Sequence, residues 1–216
     1  MKYELIVFDW DGTLMDSEGR IVTCMQRAAA DTGFARPEDA EVREIIGLSL
    51  EKAVAQLFES ADGQSVQQIT DAYREHWLGD DVPHSALFPH ANEVIETLGQ
   101  DGYLLAIATG KSRRGLDKVL NECGLGPKFH ASRCADEAFS KPHPQMLEEI
   151  LVDLNTTAER ALVIGDTEYD MQMAANARVD ALGVSYGVHS GERLLEHGAK
   201  RVLHGLDELP AWLAQN

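Results

Sequence analysis

Apolar residues recur along this chain in two rhythms. Leu5 to Phe8, Tyr103 to Ala108, Ala161 to Ile164 and Val179 to Val184 are continuous apolar or nearly apolar runs, the signature of strands buried on both faces of a parallel sheet. Shorter or weaker runs near Phe129 to Ser132 and Ala199 to Leu203 predict two more strands. Between them the apolar spacing turns helical. Helices are expected from about His90, over the face formed by Leu116, Val119 and Leu120, from about His143 to Leu154, after Thr167 to about Ala177, and near Glu192. Strands alternating with helices predict a Rossmann-like α/β core, a parallel sheet with right-handed crossovers.

One segment breaks the alternation. Asp16-Ser17 can cap a helix from about Glu18 to Thr32, with Ile21, Cys24, Met25, Ala28 and Ala29 as its apolar stripe and Gly33 as its stop. Pro37 stands near the start of a second helix through about Ile46. Gly47-Leu48 interrupts it, and Ser49 can cap a third helix to about Ser60. Val66, Ile69, Tyr73 and Trp77 mark a fourth. No strand pattern occurs between Ser17 and Asp81. The expected organisation is therefore a helical bundle, residues 17–81, inserted into a core made of residues 1–16 and 82–216. The connections Thr13 to Ser17 and Asp80 to Pro89, the second with two prolines, would let the bundle rock as a lid.

Composition narrows the partners. The 216 residues are 44% hydrophobic, enough for one good core with a small accessory domain. The net charge of −17 argues against nucleic acid and anionic membranes as partners, and means that an anionic substrate needs a locally positive site. Cys24, Cys123 and Cys134 are scattered, without a Cys-x-x-Cys pair, and read as reduced packing residues. The first strand begins within a few residues of Met1, and no apolar run approaches bilayer-spanning length, so a cytoplasmic protein, monomeric or weakly dimeric, is expected.

Chemistry gathers at the strand ends. The first strand runs into Asp9-Trp10-Asp11-Gly12-Thr13. Carboxylates at the carboxyl end of a central parallel strand sit where open α/β sheets bind ligands. Two of them side by side call for a cation, a proton, or both. The second strand ends in Thr109-Gly110-Lys111-Ser112, a hydroxyl and glycine at a helix start that suit phosphoryl oxygens. A Walker A loop is ruled out, because Leu105 stands where its first glycine is required. Lys141, fixed before Pro142, is a point charge suited to phosphate. A further strand ends in Gly165-Asp166-Thr167, with Asp170 one turn on.

In this order Asp-x-Asp-Gly-Thr, a strand-terminal Thr, Lys-Pro and Gly-Asp-x-x-x-Asp resemble the haloacid dehalogenase-like hydrolase superfamily, over nearly the whole chain. The helical insert and the run Asp136-Glu137 to Lys141-Pro142 are similar to its helical-cap, phosphoglycolate phosphatase-like subfamily. The resemblance implies a Mg²⁺-dependent phosphomonoesterase acting on a small phosphorylated metabolite. Asp9 would be the nucleophile, forming an aspartyl-phosphate, and Asp11 the general acid and base. Mg²⁺ would be held by Asp9, the Asp11 carbonyl and Asp166. Thr109, the Gly110 N–H and Lys141 would hold the phosphoryl oxygens, with the Trp10 N–H also facing them and its ring packed away. Asp170 would orient Lys141 or a metal-bound water.

Three rival functions follow from the same residues. A phosphomutase resembling β-phosphoglucomutase would carry a histidine ten positions after Asp11, where this chain has Ile21. A dehalogenase would lack Asp11. A non-catalytic phosphate-binding regulator would have lost a motif acid, and none is lost. Specificity is expected in the inserted helices, at Gly47-Leu48-Ser49, where Leu48 and the N–H groups at Ser49 would meet the leaving group. The alternative is a plain helix–helix turn. Lys111, Arg113 and Arg114 read as a solvated helix face, although they could offset the acidic surface. Arg20 reads as solvent-facing or as reaching the substrate, and His143 as a residue that caps or borders its loop. Arg178 stands where relatives place a helix-stopping glycine, so it must take a strained conformation or end the helix differently.

Overall fold

The computed structural model describes residues 2–79, 81, 82 and 84–216. Eight strands and ten α-helices are found among them. β1 (Leu5–Phe8), β4 (Leu104–Thr109), β5 (Ala131–Cys134), β6 (Ala161–Gly165), β7 (Asp180–Val184) and β8 (Val202–Leu203) form one sheet in the order β5-β4-β1-β6-β7-β8. Every pairing in it is parallel, with Phe8 opposite Ile107 on one side and Ile164 on the other.

Successive side chains of a strand point to opposite faces, and the core divides accordingly. Ile6, Phe8, Leu105, Ile107, Leu162 and Ile164 face α5 (Ala91–Gln100), α6 (Arg113–Cys123) and α10 (Glu208–Leu213). Leu5, Val7, Ala106, Ala108 and Val163 face α7 (Gln145–Asp153), α8 (Glu168–Asn176) and α9 (Gly191–Glu196). With helices on both faces the strands have no wet side, which explains their unbroken apolar runs. This is the α/β architecture expected. α10 was not anticipated; Leu206, Leu209 and Leu213 are too short a run to announce a helix, yet they pack into the core.

α1 (Glu18–Asp31), α2 (Asp39–Arg43), α3 (Leu50–Leu57) and α4 (Gly63–Leu78) follow β2 (Met15–Asp16) and precede β3 (Ala86–Leu87). α2 is shorter than expected; beyond Arg43 the chain continues in turns to Gly47. β2 and β3 pair antiparallel, Met15 opposite Leu87 and Asp16 opposite Ala86. The second connection was expected to be a linker. Its described part instead forms a ribbon with the first connection, so both crossings to the helices run through one pair of strands. Asp80 and Pro83 of that linker lie outside the described residues. The apolar cluster on the α5 face continues through Trp10, Leu14 and Met15 into Ile21, Met25, Leu48 and Trp77 of the helical segment.

Candidate active site

Hydrogen bonding of Asp9 N–H to the Ile164 carbonyl, at 2.9 Å, carries the parallel register one residue past β1 and fixes Asp9 against β6. The chain then turns at Gly12, with φ of +81°. A Cβ on Gly12 would lie 2.1 Å from Asp166 Oδ2, so only glycine lets this turn approach the acid at the end of β6. Trp10 is buried, its ring edge-on to Phe129 at 6.4 Å and turned into the core, as expected.

Lys141 is fully buried. Its ammonium donates to Asp9 Oδ1 and to Asp170 Oδ1, each at 2.6 Å. The other oxygen of Asp170 accepts the Thr167 hydroxyl at 2.7 Å and the Thr167 N–H at 3.1 Å. Asp166 accepts the Thr13 hydroxyl at 2.9 Å on one oxygen and the Val188 N–H at 2.9 Å on the other. Asp170 therefore has both oxygens engaged and holds Lys141 in place. Asp9 Oδ2 is buried and meets no donor among the described residues.

The electrostatics of this group are unbalanced. Asp9, Asp166 and Asp170 offer oxygens within 4.8 Å of one another, against the single ammonium of Lys141. Burial raises the Asp9 carboxyl well above the usual range, with Asp170 and Asp166 adding to the effect and Lys141 opposing it. Burial and the Asp170 charge push Asp166 up to about 7. Burial works against the Lys141 charge, yet Asp170 and Asp9 outweigh it and hold the ammonium protonated. Three dry carboxylates with one cation and one orphaned oxygen fit a hard divalent cation bound by oxygen.

Asp11 faces the helices. Its Oδ1 accepts the Ser17 hydroxyl and lies 2.9 Å from Lys111 Nζ. Ser17 sits at the start of α1, as expected, but its hydroxyl goes to Asp11 and caps nothing. Lys111 corrects the reading of a solvated face. Its side chain is 8% exposed, and its ammonium lies 3.8 Å from the Trp77 ring centroid, between α4 and Asp11. Arg113 is drawn away to Glu137 at 2.8 Å, and Arg114 is exposed. Arg20 is neither solvent-facing nor directed at the site. It is buried and donates to the Trp77 carbonyl at 2.6 Å. Thr109 is buried at the end of β4 and accepts the Lys111 N–H at 3.2 Å, while Ser112 caps α6. His143 accepts the Gln145 N–H at 3.2 Å, bordering its loop. Burial pushes the Cys24 thiol up to about 11 and Cys134 to about 12, as packing residues.

The turn at Gly47-Leu48 comes down on the strand ends. A Cβ on Gly110 would lie 2.5 Å from the Leu48 carbonyl oxygen, so the glycine after Thr109 admits this turn. The Ser49 N–H donates to Ser140 Oγ at 2.8 Å, which corrects the expectation of a free amide there. Between the turn and the strand ends lies a cavity of about 350 Å³ bounded by Asp9, Asp11, Leu48, Gly110 and Lys111. Ser49 is buried and does not line it. From the sequence Ser17 reads as a helix cap, Lys111 as a solvated helix face and Trp77 as part of an apolar stripe, and none of the three is assigned to Asp11. Lys111 carried a signal, two residues after a strand-terminal threonine. Trp77 had only its place on an apolar stripe.

The family sequence model described as haloacid dehalogenase-like hydrolase matches residues 6–184. The protein named probable phosphatase IndB, from Dickeya dadantii, is 33% identical over 196 residues, covering 88% of this chain and 84% of that one. A phosphoglycolate phosphatase from Vibrio parahaemolyticus is 27% identical over 95% of this chain and 94% of its own. The crystal structure of a predicted phosphatase from Clostridium acetobutylicum superposes with a TM-score of 0.90 at 23% identity, covering 100% of both chains, a likeness of fold. Strand-end acids, buried lysine, fold and sequence agree, and the chain belongs to the haloacid dehalogenase-like hydrolase family.

Proposed function

We propose that this phosphatase-type hydrolase is a Mg²⁺-dependent phosphomonoesterase of small phosphorylated metabolites, working through an aspartyl-phosphate on Asp9. The observation that carries the proposal is the pairing of Lys141 with Asp9 and Asp170 around an unpartnered Asp9 oxygen. Residues 17–81 act as a cap over a core of residues 1–16 and 82–216, hinged at the β2–β3 ribbon.

Asp9 attacks phosphorus, the bond to the alcohol oxygen breaks, and Asp11 gives that oxygen its proton. Asp11, now a carboxylate, takes a proton from a water whose oxygen attacks the same phosphorus. The bond from phosphorus to Asp9 breaks, the carboxylate is restored, and inorganic phosphate leaves. Lys141, Thr109 and the N–H groups of Gly110 and Trp10 hold the phosphoryl oxygens, and Asp170 keeps Lys141 charged and in place. Asp9, Asp166 and the Asp11 carbonyl would hold the cation, which when bound neutralises charge between carboxylates and phosphoryl oxygens. A mutase is disfavoured because no histidine lines the cavity among the described residues, and Ile21 forms part of its wall.

Phosphate release from para-nitrophenyl phosphate tests the proposal. Turnover is expected with Mg²⁺, loss after exhaustive EDTA, and recovery on adding Mg²⁺ back. Full activity after EDTA would remove the metal from the mechanism, and no release under any condition would remove the phosphomonoesterase reading.

A further inference from the structure

The cavity above Asp9 and Asp11 has two unlike walls. The strand-end side is polar: Asp9, Asp11, Gly110, Lys111 and Ser112. The side made by the inserted helices is largely apolar, from Ile21, Met25, Leu48, Leu50, Tyr73 and Trp77, with Glu51 and Arg74 as its charged pair. Tyr73 and Trp77 stack with ring centroids 6.1 Å apart and planes 13° from parallel, an aromatic surface whose Trp77 ring also carries the Lys111 ammonium 3.8 Å from its centroid. A phosphoryl group at the strand ends leaves the rest of its ester against that surface. The charged side chains on that wall, Glu51 and Arg74, are paired with each other at 2.5 Å, which leaves few polar groups to satisfy a nucleobase and its sugar.

Charge points the same way. Asp11, Glu51 and Asp136 line the cavity against Arg74, Lys111 and Arg114, and Asp9 is paired with Lys141 behind it, which leaves no surplus of positive charge for a second anion. Two of the three cations are already engaged. Lys111 pairs with Asp11 at 2.9 Å, and Arg74 with Glu51 at 2.5 Å and Asp71 at 3.0 Å. Arg114 is exposed. A second anionic group on the leaving alcohol would therefore be buried against apolar side chains with no uncommitted buried cation among the described lining residues.

We infer that the leaving group this site accepts is a neutral, largely apolar alcohol, aromatic or branched aliphatic, carried as its phosphate monoester. A short hydroxy acid or a nucleoside does not suit it. The inference rests on the phosphomonoesterase reading and adds to it the chemical class of the ester. Leu48 lines the cavity from a turn that lies against Gly110 at the strand ends.

The test is a comparison of kcat/KM for benzyl phosphate, 3-methylbutyl phosphate and 2-phosphoglycolate with Mg²⁺. All three are esters of unactivated alcohols, so the comparison reads the pocket more than the chemistry at phosphorus. The two apolar esters are expected to exceed 2-phosphoglycolate by about tenfold or more, the discrimination an apolar pocket gives. Leu48→Asn and Met25→Gln should each cut that ratio by about tenfold, with phosphoglycolate turnover not falling in parallel. Phosphoglycolate matching or exceeding the apolar esters in the unmodified enzyme overturns the inference while the phosphatase reading stands. The same holds if the ratio is unmoved in both variants. Absence of turnover on every ester overturns the phosphatase reading, and the inference with it.

Discussion

The Lys111 ammonium lies 2.9 Å from the Asp11 carboxylate. The same ammonium rests on the Trp77 ring, so one core residue touches both the proposed acid–base and the longest helix of the proposed cap. Closure of the helices and placement of Asp11 are thereby tied together. Lys111→Met keeps the stem but removes the charge. Turnover of alkyl phosphates should fall by about 10–100-fold, as for other residues that orient a reacting group. Para-nitrophenyl phosphate should lose much less, because its leaving group needs no proton. Equal loss on both substrates in steady-state assays would show that Lys111 fastens α4 and does not position Asp11.

Asp9 and Asp11 should fail differently. Asp9→Asn removes the nucleophile, so no phosphoenzyme should be trapped and activity should fall by at least about 10³-fold. Asp11→Asn removes the proton donor, with a loss of about 10²–10⁴-fold on alkyl phosphates. Asp9 remains intact in the second variant, so beryllium fluoride should still add to it, detectable by fluorine NMR. Near-normal activity in Asp9→Asn would reverse the assignment.

Much of this was legible in the sequence for a physical reason. Strands buried on both faces write continuous apolar runs, and a ligand site at their carboxyl ends places its acids just after those runs. Asp9, Asp11 and Asp166 could be read that way. Local signals fail where a side chain answers a partner far along the chain. The Ser17 hydroxyl turns from its helix to Asp11, Lys111 crosses to Trp77, and Arg20 is drawn under α4. The β2–β3 ribbon was missed because two-residue strands have no period to detect.

Acid stability should depend on Asp180, at the start of β7. Its Oδ2 accepts Lys2 Nζ at 2.9 Å and the Tyr3 hydroxyl at 2.7 Å, and pairs with Lys200 Nζ at 2.9 Å. Burial acts to raise its pKa, but the bonds from Lys200, Tyr3 and Lys2 outweigh it and hold the carboxyl at about 2, against an ordinary 3.8. A depressed acid stabilises the fold above its unfolded pKa, and that contribution is lost as pH falls towards the folded value. Asp180→Asn should therefore cost about 1 kcal/mol at pH 6, after solvent screening of this partly exposed group. The difference from the parent protein should shrink between pH 4 and pH 2. Urea unfolding at both ends of that range measures it, and a difference that does not change with pH would mean the charge is not the cause.

The last prediction concerns Arg178. The Val179 N–H donates to the Ala174 carbonyl at 2.8 Å and the Arg178 N–H to the Ala175 carbonyl at 3.0 Å, which closes α8 in a Schellman motif. That motif needs a left-handed residue, and Arg178 supplies it with φ of +59°. Of the two outcomes open from the sequence, the chain takes the strained one. An L-residue there costs about 1–2 kcal/mol, because Cβ crowds the following carbonyl. Glycine removes that cost but gains about 0.4–1 kcal/mol of freedom in the unfolded chain. The Arg178 side chain is exposed, so its loss should subtract little. Arg178→Gly should stabilise the protein by about 0.5–1 kcal/mol, seen as a higher urea midpoint with an unchanged slope. Phosphatase activity should stay as it was, because α8 is anchored to the site at its other end, through Thr167 and Asp170. A lower midpoint would mean that the arginine side chain contributes more than its backbone conformation costs.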